Sequence, residues 1–251
     1  MSPNRSRAIV RLAACLFAAL CLASPAGAQE APSAPAAPSA PEISAPAAAM
    51  EYAVLRTNRG DIVIELDRAK APISVDNFLA YVKDGFYDGT VFHRVVPGFV
   101  IQGGGFDQKG AQKPTKAPIK NEWRNGLKNL RGTLSMARTN APDSATSQFF
   151  ISLKDNDSLD QPISGGAGYA VFGRVVAGMD VVDAIAALPR GTRNGMRDWP
   201  TQDALTMKVE TISKDEAERL VKAASKAATP AGAAPTNPAA PSAPATPAAP
   251  K

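Results

Sequence analysis

The 251-residue chain has a single histidine, His93, and two cysteines, Cys15 and Cys21, both close to its start. Zinc sites of the Cys/His type need four such ligands, so beyond Cys21 they are excluded. A cysteine nucleophile is excluded there for the same reason. A Ser-His-Asp arrangement would have to use His93, and no serine stands in a Gly-x-Ser-x-Gly elbow. A hydrolase using His93 remains a rival reading, and it predicts peptide cleavage. Gly103-Gly104-Gly105 follows an apolar run, but neither a helical pattern nor Lys-Ser/Thr comes after it. It reads as a turn whose backbone passes close to something, not as a phosphate cradle.

The richest segment left for chemistry runs Phe92-His93-Arg94-Val95-Val96-Pro97-Gly98-Phe99-Val100-Ile101-Gln102-Gly103-Gly104. Strand alternation turns Phe92 and Arg94 the same way, and after the Pro-Gly turn sets Phe99 and Ile101 against Val100 and Gln102. Arginine is permanently charged and carries a rigid fork of donors, though on a strand it also serves as an ordinary solvated residue. His93 reads as a structural residue that orients the loop, over a proton carrier. Trp123 and Trp199 read as packing residues in loops.

Around this segment the pattern is one of short strands. Tyr52–Thr57, a turn at Asn58-Arg59-Gly60 and Asp61–Leu66 form a hairpin, with Ile62, Ile64 and Leu66 alternating with Val63 and Glu65. Pro72 opens a helix whose apolar face is Val75, Phe78, Leu79 and Val82, and Gly85 stands where a C-terminal cap belongs. Further strands are expected at Thr90–Val95, Phe99–Gly103, Gly132–Arg138, Phe149–Ser152 and Ala170–Val176. A second helix fits Met179–Leu188, and a last strand carries Leu205, Met207 and Val209. Ser213-Lys214-Asp215-Glu216 is a capping-box pattern that opens a short polar helix. Many strands with two core helices mean a mainly-β barrel or sandwich, and periodicity alone does not choose between them.

The segment from Phe92 to Gly104 resembles the signature of the cyclophilins. So does Gly132-Thr133-Leu134-Ser135-Met136-Ala137-Arg138 followed by Ser147-Gln148-Phe149-Phe150-Ile151. Ile119-Lys120-Asn121-Glu122, Gly168-Tyr169-Ala170-Val171-Phe172-Gly173-Arg174-Val175 and Gly178-Met179-Asp180-Val181-Val182 extend the likeness, in order, over residues 50–213. The resemblance implies a mainly-β fold, a closed eight-stranded antiparallel barrel capped by two α-helices. It also implies peptidyl-prolyl cis-trans isomerase activity that needs neither cofactor nor metal. Arg94 corresponds to the family's catalytic arginine. Phe99, Val100, Phe150 and Leu159 fall at its proline-pocket positions, and Gln102 and Gln148 at its polar ones. Ala137 and Arg138 correspond to the edge that holds the peptide backbone, and Tyr169 stands in the substrate site where other members have His. Ser158 replaces a Trp found before the Leu-Asp of the pocket loop, and Val100 replaces a frequent Met. A smaller wall, and weak sensitivity to cyclosporin-type inhibitors, are expected from these departures. Gln161–Ala167 is longer than the family's shortest form. The alternative from another class is a proline-peptide-binding chaperone module with little turnover.

The two ends differ from this core. Arg5, Arg7 and Arg11 precede an uncharged apolar run, Leu12–Ala23, and then Ala26-Gly27-Ala28; no acidic residue occurs before Glu30. Residues 1–28 therefore read as a secretory signal cleaved near Ala28, which places the mature protein in the periplasm, free of thiols and not inserted in the membrane. A mitochondrial presequence fits less well, because its arginines should stud an amphipathic helix. Leu12-Ala13-Ala14-Cys15 precedes most of the apolar block, against a lipidation site. Of the 22 prolines, five fall in residues 29–49 and seven in 229–251, within nearly pure Ala, Pro, Ser and Thr. Such stretches bury too little surface to offset chain entropy and are expected to be disordered or polyproline-like tethers. Without the three leader arginines, 25 basic residues face 23 acidic ones with no dense basic cluster, so nucleic acid is not an expected partner. The expected partners are unfolded or proline-containing polypeptides, met by a monomer.

Overall fold

The structure, a computed structural model, describes residues 50–227 except Ser164. The leader, the Pro/Ala stretch before residue 50 and the tail from residue 228 lie outside the described residues.

β1 (Glu51–Thr57) and β2 (Gly60–Leu66) form the expected hairpin in continuous antiparallel register from Glu51↔Leu66 to Thr57↔Gly60. Both of its faces are covered, which is why its apolar residues run almost without interruption. Ala53, Leu55, Ile62, Ile64 and Leu66 enter the main core, while Val54 and Val63 lie beneath an outer helix. α1 (Pro72–Lys83) starts with proline, as expected, but Ala71 offers its N-terminus no side-chain cap. Glu122 supplies one from far along the chain: its carboxylate accepts from the N–H groups of Ile73 (3.0 Å) and Ser74 (2.8 Å). A carboxylate suits this end because unpaired N–H groups gather there. At the other end Gly85, at φ +62°, donates to Val82 O, and Phe86 donates to Tyr81 O, both at 3.0 Å. This is a Schellman cap, completed by the Tyr81–Phe86 ring contact at 4.6 Å.

The remaining elements are β3 (Thr90–Val91), β4 (Arg94–Val96), β5 (Val100–Gly103), β6 (Thr133–Met136), β7 (Phe149–Ser152), β8 (Val171–Ala177), α2 (Met179–Ala186), β9 (Arg190–Arg193), β10 (Met196–Pro200), β11 (Leu205–Ile212) and α3 (Lys214–Ala227). Nine strands form one curled antiparallel sheet in the order β3-β11-β1-β2-β8-β6-β7-β5-β4. This corrects the closed eight-stranded barrel, because the hydrogen-bond ladder does not close. The expected single strand Thr90–Val95 is broken at Phe92-His93: its first part pairs with β11 and its second with β5. Consecutive pieces of one extended chain cannot pair with each other, so the covalent chain itself joins the two edges. Over this seam His93, Phe106 and Trp199 pack together, with ring centroids 4.5, 5.8 and 5.9 Å apart.

Two further expectations are corrected. Residues between α2 and β11 form a second sheet, the β9–β10 hairpin, so Trp199 lies in a strand and is 2 % exposed. Asn194 (φ +50°) and Gly195 (φ +77°) turn that hairpin; their signs suit the right-handed strand twist. There are also three helices among the described residues. α3 opens with half of its capping box, Glu216 N–H donating to Ser213 Oγ at 3.2 Å. It is amphipathic rather than merely polar: Ala217 and Leu220 pack on Val54 and Val63. No described helix is long and apolar enough to cross a membrane.

Candidate active site

Strand register sets the site. Arg94 lies opposite Gln102, Gln102 opposite Phe150, and Phe150 opposite Ser135, so one row of side chains crosses β4, β5, β7 and β6 on a single face. The neighbouring row, Val95, Ile101, Ile151 and Leu134, points into the main core. Val100, two residues before Gln102, shares its outer face, where Val100, Phe150 and Leu159 form a separate buried cluster edged by Phe99, Ala137 and Tyr169.

Two details depart from simple alternation. Phe92 belongs to the main core and not to Arg94's side, because the break after Val91 reorients the chain between them. Phe99 sits in the turn between β4 and β5, its N–H donating to Val96 O at 3.0 Å. It joins Val100 beside the pocket instead of opposing it.

Together these residues line a pocket of about 250 Å³. Arg94, Phe99, Val100, Gln102, Ala137, Arg138, Phe150, Leu159 and Tyr169, all singled out in the sequence, line it. Gln148 does not; it stands one step back, its Oε1 accepting from Gln102 Nε2 at 2.9 Å. A Cβ on Gly105 would come within 2.5 Å of the Gln148 side chain, so the bare backbone there is what lets Gln148 support Gln102. The close approach expected of the triple glycine is therefore present. Ile163, 52 % exposed, is a rim residue the sequence reading missed. Its signal was a lone large apolar side chain in a stretch of Gly, Ser and Pro.

The floor is held by polar residues that also escaped notice. Asp160 accepts from the Asn129 backbone N–H (3.0 Å) and from its Nδ2 (2.8 Å), while Ser135 Oγ donates to Asn129 Oδ1 at 2.7 Å. Asn156 Nδ2 donates to Phe99 O at 3.0 Å, and Tyr169 N–H to Leu159 O at 2.9 Å. These bonds fix the short helical turn Asp157–Asp160, and with it Leu159, against β6 and β7.

The two pocket arginines are in different states. Arg138 stacks over Tyr169 at 4.5 Å and donates to Gly168 O (3.0 Å), Thr139 O (2.9 Å) and Ala167 O. Its donors are engaged with backbone. Arg94, half-buried, makes no ion pair or side-chain hydrogen bond among the described residues. His93 is 4 % exposed. Burial lowers its pKa from 6.5 to about 4, aided by the charge of Arg94 and opposed by the Val91 carbonyl and the Gln148 amide. The imidazole is therefore neutral at physiological pH, with Nδ1 unpartnered among the described residues. No carboxylate among them orients it, which argues against a His93 hydrolase.

The family described as cyclophilin type peptidyl-prolyl cis-trans isomerase/CLD matches residues 52–211. The chain belongs to the cyclophilin-type peptidyl-prolyl cis-trans isomerases. It is similar to a peptidyl-prolyl cis-trans isomerase of Acinetobacter baylyi, 53 % identical over 176 residues that span 70 % of this chain and 93 % of the relative. Peptidyl-prolyl cis-trans isomerase B of Escherichia coli is 55 % identical over 165 residues, 64 % of this chain and 97 % of the relative. Among solved structures, a Cryptosporidium parvum cyclophilin in the presence of the dipeptide Ala-Pro aligns with TM-score 0.56 and 28 % identity, over 65 % of this chain and 99 % of that one. The curled antiparallel sheet is thus a cyclophilin fold, and the row Arg94-Gln102-Phe150 lies on it.

Proposed function

We propose that the protein accelerates X–Pro isomerisation in exported polypeptides, by non-covalent stabilisation of the twisted amide with Arg94 beside an apolar proline pocket. Amide resonance opposes rotation by roughly 18–20 kcal/mol, and the unassisted exchange at X–Pro takes tens to hundreds of seconds. No bond breaks, so the reaction calls for no nucleophile. As the amide twists, the prolyl nitrogen becomes pyramidal and its lone pair localises. A fixed guanidinium close to that nitrogen favours the twisted state over the planar one. Phe99, Val100, Phe150 and Leu159 grip the pyrrolidine ring. Gln102, steadied by Gln148, and the chain at Ala137 and Arg138 hold the flanking peptide, so one side of the bond stays still while the other turns. An acceleration of about 10⁵ corresponds to about 7 kcal/mol of differential stabilisation.

The observation that carries this reading is the guanidinium of Arg94, unpaired among the described residues and in one row with Gln102 and Phe150 at the pocket, while Arg138 is tied down. In a protease-coupled assay of an X–Pro peptide, Arg94→Ala should lower kcat/KM by roughly 10²–10³-fold, the loss typical of one aimed donor. Arg94→Lys should recover little, lacking the planar fork. A wild type that binds the peptide without speeding its isomerisation would instead support the binding-module reading. Export into the periplasm rests on the leader pattern alone. Mass spectrometry of the protein recovered from cells tests it: a mature N-terminus after Ala28 is expected, and an intact Met1 sinks it.

A further inference from the structure

The chain itself contains the bonds that the proposed site acts upon. After Ala227, the last residue of α3, the sequence passes through seven X–Pro bonds, at Pro230, Pro235, Pro238, Pro241, Pro244, Pro247 and Pro250. No charged residue stands between Ala228 and Pro250, and no side chain there is larger than Asn or Thr. Nothing in this composition hinders docking of such a segment beside Arg94.

We infer that the distal X–Pro bonds of this segment, from Ala240-Pro241 onward, are substrates of the pocket in cis, so that the enzyme's own tail competes with incoming chains. The inference rests on the isomerase reading of Arg94. Its physical basis is where α3 sits. α3 is seated by Ala217 and Leu220 on Val54 and Val63, and it contacts β1, β2 and β8. In the sheet β8 is followed by β6, β7, β5 and β4, and the pocket lies on the last three, with Arg94 on β4. Four strand steps are about 19 Å. A helix of this length adds about 21 Å if its end points away from the pocket. The longest path to be covered is then roughly 40 Å. At about 3.1 Å per residue, the fourteen residues from Ala228 to Pro241 can reach about 43 Å. Pro241, Pro244, Pro247 and Pro250 are therefore within reach whichever way α3 points.

A tether of this length holds its bonds at an effective concentration on the order of millimolar, far above that of a free client at micromolar levels. Rotation about the tail's Ala–Pro bonds makes and breaks nothing, so the enzyme is left unchanged after each event. The outward sign is a raised apparent KM for external peptide with kcat unaltered.

Exchange spectroscopy on the alanine N–H signals that precede the tail prolines, in the full chain, tests this directly. Expected is cis–trans exchange at least about tenfold faster than in Arg94→Ala, where the uncatalysed scale of tens to hundreds of seconds returns. The rate should not change on fivefold dilution. Replacing Pro241, Pro244, Pro247 and Pro250 by Ala should lower the KM for an added Ala-Pro peptide severalfold at constant kcat. The cis inference is overturned if tail exchange falls in proportion to dilution. It is also overturned if the tail stays slow while an added Ala-Pro peptide is accelerated. If neither tail nor added peptide is accelerated, the isomerase reading falls, and this inference falls with it.

Discussion

Lowering the pH should weaken this fold through one side chain, His93, and replacing that side chain should remove the effect. In the folded protein burial holds the imidazole pKa at about 4, against 6.5 for a free histidine. The unfolded chain therefore takes up a proton first as the pH falls, and it alone is stabilised by doing so. The contribution of neutral His93 is complete above pH 6.5 and is lost as the pH falls towards its folded pKa near 4. Integrating between these values gives a loss of about 2 kcal/mol by pH 5 and about 3 kcal/mol by pH 4. Carboxylates also titrate in this range, so the comparison must be with His93→Gln, which keeps them all. Urea unfolding of both proteins at pH 7, 6, 5 and 4 measures it. Whatever His93→Gln costs at pH 7, the gap between the curves should narrow by about 3 kcal/mol at pH 4, or roughly 1–2 M in urea midpoint at ordinary slopes. Curves that stay parallel over the whole range would show that His93 titrates alike in the folded and the unfolded chain, as an imidazole open to solvent does, and would refute the reasoning.

Three other outcomes test the site and its frame. Asp160→Ala removes the acceptor of both Asn129 donors, so it should cost about 1–3 kcal/mol in unfolding free energy and raise KM for an X–Pro peptide while leaving kcat within about twofold; an unchanged KM would show that Leu159 keeps its place without this bond pair. Trp199→Ala should cost about 3–5 kcal/mol by thermal or urea unfolding, the price of emptying a buried aromatic site, and a loss below 1 kcal/mol would show that the seam does not depend on it. Cyclosporin-type inhibitors should bind weakly to the wild type, and Ser158→Trp, at an exposed position before Leu159, should tighten inhibition at least tenfold in the isomerase assay. No change in that variant would locate the inhibitor's wall elsewhere.

What could be read in advance divides by the range of the interactions involved. The helix at Pro72 was legible because proline, the i, i+3, i+4 face and Gly85 are all local signals. Its N-terminal partner, Glu122, was not, since nothing in the residues near Ser74 announces a carboxylate 48 positions away. Pocket residues were legible from ordered motifs and, once β4, β5 and β7 pair, register places Arg94, Gln102 and Phe150 in one row. The stand-back position of Gln148 escaped, because two glutamines look alike in sequence and only Gly105 decides which is behind. The β9–β10 hairpin was missed despite Asn194-Gly195, a strong turn signal, because Arg190-Gly191-Thr192-Arg193 shows no alternation of apolar residues. Its buried side is carried by two adjacent residues, Trp199 and Pro200, which set up no period. The break within Thr90–Val95 was invisible for a different reason: both halves are extended, and only their different partners divide them.

The chain's route through the seam bears on when activity can appear. The seven residues from Thr90 to Val96 belong to both edges of the sheet, one end paired with β11 and the other with β5. β11 also pairs with β1, where Ile212 meets Tyr52 across almost the whole length of the fold. Arg94 pairs locally with Gln102, but the start of its segment is anchored by contacts of very high sequence separation. A growing chain that has emerged only as far as β8 already contains all nine of the pocket-lining residues singled out in the sequence, yet it lacks the strand that anchors Thr90 and Val91. Such a chain carries a complete set of parts without a working site. Prolines in its own nascent body are therefore expected to isomerise unassisted until the last strand is in place.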